Sequence, residues 1–138
     1  MDTQKLNQDL IEIIHLKNAL KEVDYSDKEY DRLEEQLHDK EDEFLELFGD
    51  YLERTLKEVH RENFPHNDVL LPIAYLANEY IIKSKNGDQY FDVPLSEGVI
   101  VETNQDPLEI SRLVMLPNPV RLLLQNGNTS RKELWRME

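Results

Sequence analysis

Residues 26–61 read SDKEYDRLEEQLHDKEDEFLELFGDYLERTLKEVHR. The stretch has no proline and one glycine, and Tyr30, Leu33, Leu37, Phe44, Phe48, Leu52, Leu56 and Val59 recur at helical spacing. Together they make one apolar stripe on an α-helix. At 1.5 Å per residue a helix over this span is roughly 50 Å long. No other single element readable in the chain is long enough to cover it.

Upstream, residues 3–23 read as a first helix, because Leu6, Leu10, Ile13, Leu16, Leu20 and Val23 recur every three or four residues. Ile11 and Ile14 lie off that stripe, so this helix needs a second contact, with the C-terminal half or with another copy. Asp24-Tyr25 breaks the pattern and Ser26 restarts it, with Glu29 three residues later completing a capping box. So short a link forces an antiparallel hairpin in which residue n faces roughly residue 50 − n. Leu6 then meets Phe44, Ile13 meets Leu37, and Leu20 meets Tyr30.

The first helix runs out opposite Leu47. Beyond that point Phe48, Tyr51, Leu52, Leu56 and Val59 have no partner on it, and need the C-terminal half or a second subunit. Gly49 leaves two readings open. It can end one helix, with Asp50 and Glu53 capping a third, or sit inside a continuous or kinked helix at a cost of about 1 kcal/mol against alanine. The small cost favours continuity.

Downstream, Phe64-Pro65-His66-Asn67-Asp68 stops the helix. Pro72 suits the first turn of a short helix carrying Ile73, Leu76, Ala77 and Tyr80. Asn86-Gly87 between residues 80–85 and 88–93 is a type I′ hairpin signature that sets Ile82 against Phe91 and Tyr80 against Val93. Residues 94–98 turn, 99–102 (VIVE) read as a strand, and 103–107 turn again. Residues 110–116 and 120–125 flank Pro117-Asn118-Pro119 as a second hairpin. Asn126 to Asn128 stops it, and Ser130 with Glu133 caps a final helical turn bearing Leu134, Trp135 and Met137. The fold class is therefore α+β: an N-terminal antiparallel helical hairpin over 1–63, followed by a small antiparallel β-rich part over 64–138, expected to form one structural unit.

Composition bounds the function. The chain has 138 residues, no cysteine and a formal net charge of −13 at pH 7. Residues 1–63 carry 19 acidic and 9 basic side chains, net −10, and residues 64–138 carry 10 and 7, net −3. Such a balance disfavours direct nucleic-acid binding, which needs lysines and arginines at phosphates. No apolar run reaches membrane-spanning length, and the polar N-terminus does not read as a signal peptide. The absence of thiols suits a cytoplasmic protein. Without a secretory signal, Asn128-Thr129-Ser130 reads as a turn and not as a glycosylation acceptor.

Catalytic patterns are missing. There is no Gly-x-Ser-x-Gly elbow, and four glycines leave no phosphate loop. Glu12-x-x-His15 and Glu35-x-x-His38 stand level on the two helices, as in di-iron carboxylate bundles. At 100° per residue, however, His15 and Glu35 point away from the apolar stripes, and bundle ligands must project inward. His60 and His66, with Glu62 and Asp68 nearby, match no recurring ligand spacing. No metal, cofactor or catalytic residue is expected.

The link between the helices, Asp24-Tyr25-Ser26-Asp27-Lys28-Glu29-Tyr30, resembles the acidic hairpin tip of the Gre transcript-cleavage factors. The matching positions are Asp24, Ser26, Asp27, Glu29 and Tyr30, with one residue missing between Lys28 and Glu29. The resemblance implies a hairpin that enters the RNA polymerase secondary channel, where tip carboxylates help to hold a catalytic magnesium. It covers this short stretch alone.

These observations lead to an expected non-catalytic protein–protein interaction module (adaptor, scaffold or chaperone-like). It would self-associate as a homo-oligomer through Phe48, Tyr51, Leu52, Leu56 and Val59, and offer Asp24, Tyr25 and Asp27 at the tip to a protein partner. The polymerase-channel regulator is the alternative, and an acidic mimic of nucleic acid is the second.

Overall fold

The computed structural model describes residues 1–103, 109–127 and 130–138. Helix α1 spans Thr3–Glu22 and α2 spans Lys28–Asn63, 36 residues without interruption at Gly49. A Cβ at Gly49 would meet only Leu45, at 3.8 Å, so the glycine neither breaks the helix nor is needed by its packing. Asp2 caps α1 by accepting from the Lys5 N–H. The cap of α2 is Asp27, which accepts from the Glu29 N–H at 2.9 Å, and not Ser26. The serine belongs to the preceding turn, where its N–H and hydroxyl both donate to Asp24. Asp27 wins because an acceptor-only carboxylate suits the positive helix end better than a hydroxyl.

The hairpin register follows the expected pairing. Lys40 on α2 reaches both Asp9, at 3.6 Å, and Glu12, at 2.6 Å, on α1. Leu6, Leu10 and Ile13 are buried with Leu37 and Phe44. Ile14 is also buried, and the second contact of α1 lies within the chain. The Asn18 amide exchanges two hydrogen bonds with the backbone of Tyr80, and Asn7 accepts from the Asn118 N–H.

The distal half of α2 corrects one expectation. Phe48, Leu52, Leu56 and Val59 are each 5% exposed or less and share one core with Tyr75, Val101, Met115 and Leu122. Tyr51 is partly buried, its ring 6.4 Å from that of Trp135. The chain's own C-terminal half covers Phe48, Leu52, Leu56 and Val59. Burying each of these side chains contributes about 1.5–3 kcal/mol, and a nearby sheet supplies that without association.

After α2 comes a single 3-10 turn, Pro72–Tyr75, where a short helix was expected. The Tyr80 hydroxyl is buried here, donating to Met115 O at 2.7 Å and accepting from the Ala77 N–H. Its bond to Ala77 falls just after Leu76, where the backbone is already extended. Strands β1 (Ile81–Lys85) and β2 (Asp88–Asp92) pair with Ile82 opposite Phe91, as the turn chemistry dictates. Asn86 and Gly87 take φ of 54° and 84°, the two left-handed positions of that turn.

A second sheet, β3 (Val99–Val101), β4 (Ser111–Leu116), β5 (Arg121–Asn126) and β6 (Ser130–Arg136), is an antiparallel meander in sequence order. Leu113 pairs with Leu124 and Met115 with Leu122, which puts these four on the face that enters the core. The opposite face grips the end of β2 and the segment that follows it. Arg131 donates to Asp92 and to Val93 O, Gln125 to Glu97 O, and Arg121 to Phe91 O.

β6 replaces the expected final helical turn. Trp135 lies opposite Leu122, and a register shift between Leu122 and Leu123 accommodates one extra residue. Ser130 and Glu133 mimic a capping box, but the open edge of β5 offers a ladder of hydrogen bonds that an isolated turn cannot match. Of the expected turns, residues 104–107 of the 103–107 turn, Asn128 of the stop after β5, and the Asn128-Thr129 pair lie outside the described residues.

Candidate functional site

The link between α1 and α2 is built by two aspartates. Asp24 accepts from the Ser26 N–H and hydroxyl, both at 3.0 Å, and these bonds hold its carboxyl below the usual range. The backbone then closes two successive turns, Asp27 N–H to Asp24 O at 2.9 Å and Tyr30 N–H to Asp27 O at 3.1 Å. One oxygen of each aspartate is thus occupied by the turn itself. Tyr25 is 81% exposed, its ring centroid 5.0 Å from that of Tyr30 at 57°. The tip presents an aromatic side chain on a preorganised turn.

Beside the tip lies a groove of about 460 Å³, floored by Leu20, Val23 and Leu37 and walled by Tyr25 and Tyr30. Lys17 and Lys21 of α1 and Asn78 of the loop before β1 complete it. Lys17 is partly buried, and desolvation lowers its pKa against the raising influence of Glu41 and Glu97. The tip residues were readable from sequence as an exposed turn. Lys17, Lys21 and Asn78 were not. Two lysines four apart on a helix of no net charge look like an ordinary solvated face, and the loop's approach depends on Asn18 pairing with Tyr80.

The sequence-derived sites therefore separate. Asp24, Tyr25 and Asp27 stand together at the exposed tip, while Phe48, Leu52, Leu56 and Val59 are interior and Tyr51 is half-buried. Glu12 and His15 line a different groove with Asp39, Lys40 and Glu43, and Glu12 is ion-paired to Lys40. Glu35 and His38 are exposed on α2. Among the described residues no cluster of three or more His, Asp or Glu side chains could hold a metal ion. His60 is buried and hydrogen-bonded through both ring nitrogens to Asn67 O and the Tyr75 hydroxyl, whereas His66 is exposed. No described helix is long and apolar enough to cross a membrane.

Comparison with known proteins finds no matching family model, no matching curated protein and no matching solved structure.

Proposed function

We propose that the chain is a non-catalytic protein-interaction module whose contact surface is the hairpin tip. One observation carries the reading. Tyr25, a residue type enriched among binding hot spots, stands almost fully exposed on a turn fixed by Asp24 and Asp27. Holding it there before contact lowers the ordering cost of binding. With the distal face of α2 occupied by the chain's own core, the partner belongs at the tip and not along the long helix.

The test places a photo-crosslinking amino acid at position 25, and another at exposed Glu46 on α2, in the full chain expressed in its source cells. A discrete partner adduct from position 25 alone supports the reading, and Tyr25→Ala in a tagged copy should abolish recovery of the same partner. Adducts from position 46 alone would move the contact elsewhere. The polymerase-channel reading ranks lower, because the tip carboxylates it would spend on magnesium each give one oxygen to the turn. Acidic mimicry of nucleic acid gains no observation of its own.

A further inference from the structure

We propose that the groove beside the tip takes an acidic peptide segment carrying one apolar anchor side chain. The inference rests on the tip reading and specifies the partner's chemistry. Residues 1–63 carry a net charge of −10, so an acidic ligand is repelled by most of the helical hairpin. The groove is the exception. Its lining includes Lys17 and Lys21, while the carboxylates of Glu41 and Glu97 act on Lys17 from outside the lining and that of Glu97 accepts from the Asn78 N–H at 3.0 Å.

Lys5, Lys40 and Lys57 on the same two helices are ion-paired, to Asp9, to Asp9 and Glu12, and to Glu53. Lys17 and Lys21 make no ion pair among the described residues, although Glu41 and Glu97 act on Lys17 through space. Four apart on one helix, the two ammonium groups lie on the same face. Partial burial makes Lys17 the better anchor, since an ion pair formed away from water is screened less.

The apolar floor and the tyrosine pair set the rest of the ligand. Leu20, Val23 and Leu37 offer aliphatic surface, and Tyr25 with Tyr30 aromatic surface for an aromatic or branched anchor. The Asn78 side-chain amide, with no partner among the described residues, can pair with a peptide backbone. A volume of 460 Å³ falls within the range of ligand pockets and suits a few residues, not a whole domain surface.

The test selects a random decapeptide display library on the immobilised full chain, with Lys21→Glu, Lys17→Met and Tyr25→Ala as parallel baits. Lys21 and Tyr25 are exposed, so these two variants keep the fold, and circular dichroism checks all three. Net-acidic peptides with a shared aromatic or aliphatic position should be enriched, binding Lys21→Glu at least about tenfold more weakly. Amide shifts on titration should cluster at residues 17–30 and Asn78, and inorganic phosphate alone should not reproduce them.

Several results would overturn it: no enrichment, neutral or basic peptides, retention by Lys21→Glu, or phosphate reproducing the peptide's shifts. So would a Lys21-dependent change in sedimentation without peptide, which would assign the groove to a second copy. If Tyr25→Ala abolishes partner cross-linking while the selected peptides are not acidic, this inference falls and the tip reading stands. If neither responds to Tyr25→Ala, both fall.

Discussion

Nε2 of His60 lies 2.8 Å from the hydroxyl of Tyr75, in the core where α2 ends. The Asn67 carbonyl beside the other ring nitrogen can only accept, so Nδ1 carries the proton and Nε2 accepts from the Tyr75 O–H. The hydroxyl oxygen in turn accepts from the Leu70 N–H at 3.0 Å. These four groups satisfy one another, and they tie the last turn of α2 to the chain that leaves it.

Tyr75→Phe keeps the ring but leaves His60 Nε2 and the Leu70 N–H unpaired. An unsatisfied buried polar group costs about 1–3 kcal/mol, and urea unfolding of this variant should show a loss in that range. A loss under about 0.5 kcal/mol, typical of a surface change, would mean that water reaches the network.

The same network sets a pH dependence. Burial, opposed by the Asn67 carbonyl, pushes the His60 pKa below its ordinary 6.5. The unfolded chain therefore takes up this proton before the folded chain does. The contribution of neutral His60 is complete above that ordinary value and declines as pH falls through it towards the lower folded value. Glu41, whose carboxyl burial raises, has the opposite sign in the acidic range, so wild type is best compared with His60→Gln. Unfolding free energies from about pH 7.5 down to 5 should fall more steeply for wild type. Parallel profiles would remove His60 as the source.

Gly49→Ala should raise stability by about 1 kcal/mol, the ordinary helix-interior difference between these residues. The added methyl meets Leu45 at 3.8 Å, an ordinary contact, and the backbone is already helical. Thermal unfolding reads the gain directly. A decrease would show that α2 needs to bend there.

Leu56 is fully buried within the chain's own core. Leu56→Ala should cost about 2–5 kcal/mol, from lost burial plus the cavity left behind. The wild-type unfolding midpoint should be independent of protein concentration, because the face is covered without a partner. A midpoint that climbs with concentration would mean that a subunit interface contributes to it.

Local chemistry determined much of this protein before any packing was known. Apolar spacing set both helices, the short Asp24–Asp27 link made them antiparallel, and Asn86-Gly87 fixed the β1–β2 register with Ile82 opposite Phe91. These signals act over a few residues, so a one-dimensional reading captures them. Tertiary structure decided what covers Phe48, Leu52, Leu56 and Val59, and whether residues 130–136 become helix or strand. It also brought Asn78 beside Lys17 and Lys21. Each of these depends on residues far apart in the chain competing for the same apolar surface or open strand edge. Spacing along a single segment shows that an apolar face must be covered, but the identity of its cover is settled only when the whole chain packs.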